Sequence, residues 1–330
     1  MMNQPQDELH AWLALAAGGG AARRRARHLL AHFGGPMEVF LAGPADARAA
    51  LNGEDCAGLF TALEPLARVA ERTRLWLSES SSHHLLALGD AHYPTALLES
   101  PDPPLLIHCK GVLDGFGRPS VAVVGSRHAT PAGVQTARRL SAELNVLGIE
   151  VVSGLAVGID AAAHEAALLS GGPASTIAVV ACGLDQVYPR HHRDLFERIA
   201  DQGLLVSEHP LGTPALPAFF PQRNRVIAGL SCAVIVVEAT VRSGSLITAR
   251  LASEAGRDVF AVPGHLTSAQ AAGCNRLIKA GAGLLEHVAD IVESQPWAFS
   301  AAVRQAVLPR RRRGGPHRTN LPSRPSTPSD

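Results

Sequence analysis

Residues 121–164 read VAVVGSRHATPAGVQTARRLSAELNVLGIEVVSGLAVGIDAAAH. A short β-branched run, 121–124, stops at a glycine turn and gives way to an alanine- and leucine-rich segment, 132–147. A second run, IEVV at 149–152, stops at another glycine-rich turn that opens a helical stretch over 160–170. Apolar runs of four without alternation suit strands buried on both faces, and helix-length segments between them suit crossovers, so the stretch predicts βαβ units in a parallel sheet. The pattern continues outward, with TIAVV at 176–180, LLV at 204–206, AVIVV at 233–237 and DVFAV at 258–262 as strands. Helices are expected at 193–201, 223–230 and 245–256. Six strands in this arrangement make a doubly wound, extended Rossmann-like α/β domain over 120–294.

Upstream, residues 1–77 read as a small helical module, with helices at 9–17 and 21–33 and a turn at Gly34-Gly35-Pro36. Residues 78–119, with SESSSHH at 78–84 and SPDPP at 100–104, read as a connector packing on the core. Beyond Ser294 the composition turns to RRRRGG at 310–315 and then to Pro and Ser, so 295–330 reads as a disordered Arg/Pro/Ser-rich tail. Hydrophobic residues are 46% of the 330 and charged residues 18%, a balance that excludes a disordered or fibrous chain. The longest apolar runs, such as 176–182, fall far short of the roughly 20 residues a membrane helix needs. The start of the chain also lacks a basic leader, so a soluble cytoplasmic protein is expected. Five cysteines without a CxxC pair suggest neither a disulfide framework nor zinc, and His83-His84 and His191-His192 lack further ligands at fitted spacing. No metal or cofactor is expected.

The net charge is +1, so any polyanion site must be local. Neither lysine, Lys110 or Lys279, follows a glycine as in GxxxxGK[ST], which excludes a P-loop ATPase. No GxSxG elbow or GxGxxG fingerprint is present either. In a doubly wound sheet ligands bind at the C-terminal strand ends, where helix N-termini present free N–H groups. Three such ends carry anion-shaped turns: Gly125-Ser126-Arg127, Ser153-Gly154 through Asp160, and Arg242 with Ser243-Gly244-Ser245. Singly, such turns are ordinary βα loops and caps; their coincidence points to a site. Before the fifth strand, Phe219-Phe220 precede Arg223-Asn224-Arg225. Rings beside guanidinium groups suit single-stranded nucleic acid, although phenylalanines in this position can equally be core.

The ordered strings VVGSR at 123–127, SGLAVGIDAAAH at 153–164, GLDQVYP at 183–189, SEHP at 207–210 and FPQRNRVIAGLS at 220–231 resemble the DNA-processing protein A (DprA or Smf) family. VVEAT at 236–240, SGSLITA at 243–249, GRDVFAVPG at 256–264 and GCNRLIKAGA at 273–282 extend the resemblance across roughly 85–290. It implies a non-enzymatic protein that binds single-stranded DNA, protects incoming DNA and loads the recombinase RecA in natural transformation, working as a homodimer. It implies Gly125, Ser126 and Arg127 as a phosphate cradle, Ser153 and Gly154 lining the adjoining turn, and Arg223, Asn224, Arg225, Ser243, Gly244 and Ser245 completing one basic pocket. It implies Lys279 as a further contact, and the ring-and-arginine pattern leads to the expectation that Phe219 or Phe220 stacks on bases. Position 157, often arginine in the family, is Val157 here, which removes one cation. The N-terminal helices resemble the family's sterile-alpha-motif or helix-hairpin-helix-like module; the tail is too short for the winged helix that ends many members.

The enzymatic alternative is a phosphoribohydrolase on a similar Rossmann architecture. Its signature PGGxGTxxE is missing: the fifth strand leads to RSGSLITA, and Glu238 lies before the turn. A scaffold that only bound proteins would not need arginine and glycine at several strand ends.

Overall fold

The computed structural model describes residues 5–61, 63–170, 172 and 174–307. Five helices come first: α1 (Glu8–Ala16), α2 (Gly20–Phe33), α3 (Pro36–Ala50), α4 (Ala57–Thr61) and α5 (Leu63–Glu79). The segment 78–119 is more regular than its composition suggests. It holds β1 (His83–Ala87), α6 (Thr95–Leu98) and β2 (Leu106–Gly111). Strand and helix then alternate as β3 (Ser120–Val124), α7 (Pro131–Val146), β4 (Glu150–Ser153), α8 (Ile159–Ser170), β5 (Thr176–Val179), α9 (Arg193–Gln202) and β6 (Leu204–Ser207). The second half runs α10 (Phe219–Leu230), β7 (Ala233–Val236), α11 (Ser245–Glu254), β8 (Asp258–Ala261), α12 (Ala272–Lys279), β9 (Gly283–Leu284), α13 (Val288–Ser294) and α14 (Ala301–Val307).

The nine strands form one sheet in the order β1-β2-β6-β5-β4-β3-β7-β8-β9, antiparallel only at the β1–β2 and β2–β6 pairings. The apolar runs behave as strands buried on both faces. Val121 and Val123 face the layer of α7, α8 and α13, while Ala122 and Val124 face the layer of α10 and α11. The same alternation holds in β7, with Ala233 and Ile235 on the first face and Val234 and Val236 on the second. Each fully buried side chain of this kind is worth about 1.5–3 kcal/mol, so the central strands anchor everything built on their ends. No helix among the described residues is long and apolar enough to cross a membrane.

Two expectations need correction. The tail does not begin at 295: Pro296–Ala298 form a 3-10 turn, α14 follows, and Phe299 is buried against the α7–α13 layer. One buried aromatic and a short amphipathic turn were masked by the basic composition further on, and residues 308–330 lie outside the described residues. The helix expected at 223–230 begins earlier, at Phe219, which turns the two phenylalanines into helical residues with fixed directions.

Candidate nucleic-acid interface

Strand β3 is the point at which the sheet changes direction. The chain builds β4, β5 and β6 on one side of it and then returns to lay β7, β8 and β9 on the other. Loops leaving β3 and β7 therefore diverge, and a crevice opens at their C-terminal ends. A cleft of about 560 Å³ lies there, lined by the turns after β3 and β7, by Ala156 and Asp160 after β4, and by the first turns of α10.

The walls are fixed by short polar contacts. After β3, the Ser126 hydroxyl accepts from the His128 N–H at 3.1 Å, and Thr130 caps α7 by accepting from Gly133 N–H at 3.0 Å. Glu238, at the end of β7, accepts from both the Thr130 N–H (2.9 Å) and the Thr130 hydroxyl (2.5 Å), so the loops on either side of the crevice are tied together. After β4, the Asp160 carboxylate accepts from Gly154 N–H (3.2 Å) and Ala156 N–H (3.4 Å). Leu155 stands in the left-handed region at φ 54°, and its N–H donates to His164 Nε2 at 3.3 Å. That acceptor role leaves the ring proton on Nδ1, which donates to the Thr176 hydroxyl at 2.8 Å; Thr176 in turn donates to Val151 O. Burial holds this imidazole neutral, pulling its pKa down to about 3, with Arg223 and His192 adding to the effect.

Two glycines are obligatory here. Gly158 has φ +83°, and an added Cβ would lie 2.3 Å from Ser126 O, where the turns after β3 and β4 join through Ile159 N–H. At Gly154 a Cβ would lie 1.8 Å from Arg223 Nη1. Arg223 thus threads under the turn, 5% exposed, and donates from Nη1 to Val179 O at 2.7 Å, while its Nε has no hydrogen-bond partner among the described residues. Burial drags its pKa down to about 10 despite the opposing charge of Asp160. The Asp160 carboxyl is itself raised by burial, with Arg223 acting the other way. Above this buried cation Arg127 is exposed and has no ion-pair partner among the described residues. Its guanidinium lies over the Phe220 ring at 5.1 Å, and Phe220 meets Tyr188 edge to face at 5.5 Å.

Of the residues singled out in the sequence, Gly125, Ser126, Arg127, Phe220, Arg223, Asn224, Ser243, Gly244 and Ser245 line this one cleft. Gly154 is not part of the lining but packs against the Arg223 guanidinium, and Asn224 Nδ2 donates to Gly244 O at 3.4 Å, fastening α10 to the turn after β7. Four residues stand elsewhere. Ser153 is fully buried, its hydroxyl donating to Val123 O at 2.6 Å as a stitch between strands. Phe219 turns away onto the His209 ring at 4.2 Å. Lys279 ends α12, outside the cleft lining. Arg225 is two residues beyond Arg223 on a helix, hence about 200° around it, and pairs with Glu208 and Asp102. Arg23 and Arg27 of α2 bind the same Asp102, each at 2.7 Å, so Arg225 belongs to a clamp fastening the N-terminal helices to the core. Burial would raise the Asp102 carboxyl, but the hydrogen bonds and charges of the three arginines hold it below the ordinary value. Asp160 was read from the sequence only as the end of the anion-shaped turn after the second strand, and Tyr188, His164 and Thr130 were not singled out as site residues. Only the position of Tyr188 beside Pro189 in the GLDQVYP string offered any signal.

The model of the family described as DNA recombination-mediator protein A matches residues 84–296. The chain belongs to that family. Protein Smf of Synechocystis sp. is 41% identical over 257 residues, covering 74% of this chain and 63% of the relative; Protein Smf of Escherichia coli is 43% identical, covering 68% and 59%. The chain therefore spans about three fifths of the length of these curated relatives. The X-ray structure of DNA processing protein A from Streptococcus pneumoniae superposes with a TM-score of 0.74 at 35% identity, over 88% of this chain and 98% of that one. The Helicobacter pylori protein, whose structure is described as giving insight into its single-stranded DNA binding mode, superposes with a TM-score of 0.59 at 30% identity, over 66% and 98%. All the cleft residues named above fall inside the family match.

Proposed function

We propose that the chain binds single-stranded DNA along this cleft, protects it and passes it to the recombinase RecA, acting as a homodimer in the cytoplasm. The observation that carries the reading is an exposed Arg127, without an ion-pair partner among the described residues, lying over the Phe220 ring at the mouth of a cleft floored by buried Arg223. An unpaired guanidinium offers a fork for phosphate, the ring offers a stacking face, and the glycine turns let a backbone approach closely. With most contacts to phosphate, binding is salt-dependent and tolerant of sequence. Two sites in a dimer would hold one strand at raised effective concentration. Engagement of Glu238 by Thr130 supports binding over phosphoribohydrolase chemistry, because it gives this carboxylate a role in tying the two loops together.

Fluorescence anisotropy of a labelled oligo-dT and of the matching duplex, at two salt concentrations, tests the reading. Salt-sensitive preference for the single strand, weakened in Arg127→Ala, is expected. Absence of binding at low salt would overturn it and turn attention to nucleoside monophosphate hydrolysis.

A further inference from the structure

The start of α7 already holds an anion of the protein's own. Gly133 is the third residue of that helix, and a Cβ there would lie 2.5 Å from Glu238 Oε2 and 2.6 Å from Oε1. The carboxylate therefore rests directly against the backbone of the helix's first turn, in space that any other residue at 133 would fill. Glycine weakens a helix interior, so its presence here marks that close approach.

Glu238 also engages the donors of this helix start. It accepts from Thr130 N–H at 2.9 Å and from the Thr130 hydroxyl at 2.5 Å. The hydroxyl oxygen in turn accepts from Gly133 N–H at 3.0 Å, and Pro131 has no N–H to offer. In a doubly wound sheet, the helix that follows the strand at the change of direction presents its N-terminus to the phosphate of a bound nucleotide. α7 follows β3, which holds that place. A carboxylate is the side-chain counterpart of a phosphate, anionic and acceptor-only, and it takes the stabilisation that the positive end of the helix gives an anion.

We propose that Glu238 is a built-in anion that fills the phosphate seat at the start of α7 and so excludes inorganic phosphate and free nucleotides from it. Selectivity then comes from a charge and a volume set against the wrong ligand. Arg127 lines the cleft on the other side of the same turn, where neither Thr130 nor Glu238 reaches, and is left to meet the backbone of a strand. That last step rests on the single-strand reading of the cleft.

Isothermal titration calorimetry with inorganic phosphate tests the exclusion on the wild type, on Glu238→Ala, and on the double variant Glu238→Ala/Gly133→Ala. Glu238→Ala should bind phosphate at least about tenfold more tightly than the wild type, the value of a charged hydrogen bond. The double variant, whose added methyl group fills the vacated seat, should lose that gain. No gain in a folded Glu238→Ala protein, or a gain that survives Gly133→Ala, would overturn the proposal. So would a wild-type crystal soaked in phosphate in which the ion lies on Thr130 with Glu238 swung aside, a result that needs no variant to fold. Oligo-dT binding by the same samples keeps the two readings apart: if no strand binds the wild type at low salt, the cleft reading falls, while exclusion of phosphate by Glu238 is decided by the titration alone.

Discussion

Replacing Arg223 by methionine separates what this side chain does for the fold from what it does for a ligand. At about 1.4 kcal/mol per pH unit, the fall of its pKa from the ordinary arginine value to about 10 means that the buried guanidinium costs the folded state roughly 3 kcal/mol. That figure already includes the attraction of Asp160; against it stands one hydrogen bond to Val179 O, worth about 1 kcal/mol. Asp160 without its counter-charge can take a proton, because burial already raises its pKa. Methionine fills a similar volume without charge. Stability should therefore hold to within about 1 kcal/mol or rise, since replacing a buried charge with a well-packed apolar residue is often neutral or stabilising. A depressed pKa destabilises the wild type at every pH below about 10, and this deficit shrinks only as pH climbs above that value. Affinity for oligo-dT should fall about ten- to a hundredfold, the value of a charged hydrogen-bond partner. Urea unfolding followed by tryptophan fluorescence and anisotropy on the same samples read both effects. A loss of more than about 2 kcal/mol with unchanged DNA affinity would show that Arg223 is a structural strut and refute the reasoning.

Arg127→Ala should lower the slope of log affinity against log salt by about 0.7, the value of one single-strand phosphate contact, and do so alike for every sequence; an unchanged slope would remove Arg127 from the backbone path. Asp102→Asn should weaken the clamp by about 1–3 kcal/mol by leaving Arg23, Arg27 and Arg225 under-partnered, and expose α1–α5 to limited proteolysis. Because the Asp102 carboxyl is held below its usual 3.8, the wild-type clamp contributes fully well above that pH and loses its contribution progressively as pH falls from there through the lower value of the folded state. His108 and His164, pulled down by burial to about 4 and about 3, are neutral in the fold but protonate in the unfolded chain below about pH 6.5. Stability should therefore drop by about 1.4 kcal/mol per pH unit for each as pH falls from 6.5 to 5, and His164→Gln should flatten the thermal-melting profile by one such share.

The parallel strands were legible because burial on both faces leaves uninterrupted apolar runs, as in VAVV and AVIV. β1 and β2 were not. Their histidines and Lys110 break the run, and His108 is a fully buried ring beside Trp76, an arrangement no periodicity announces. Strand β9 has only two residues, too few for any pattern. At the site, glycine and serine at strand ends marked the turns after β3, β4 and β7, because close backbone approach leaves that chemical trace. Helical phase decided the rest: once α10 begins at Phe219, Phe220 and Arg223 face the cleft while Phe219 and Arg225 cannot. The carboxylates that capture Arg225 come from Asp102 and Glu208, distant in sequence and invisible to a local reading. Tyr188 reaches the cleft from the loop after β5, which carries no glycine-serine turn.

The most direct measurement is a crystal structure of the protein with a short oligo-dT. A phosphate within hydrogen-bonding distance of Arg127, with the adjoining nucleotide against Phe220 at the ends of β3, β4 and β7, is expected. A strand bound elsewhere on the molecule, with Arg127 still lying on an uncovered Phe220, would contradict the assignment of the cleft.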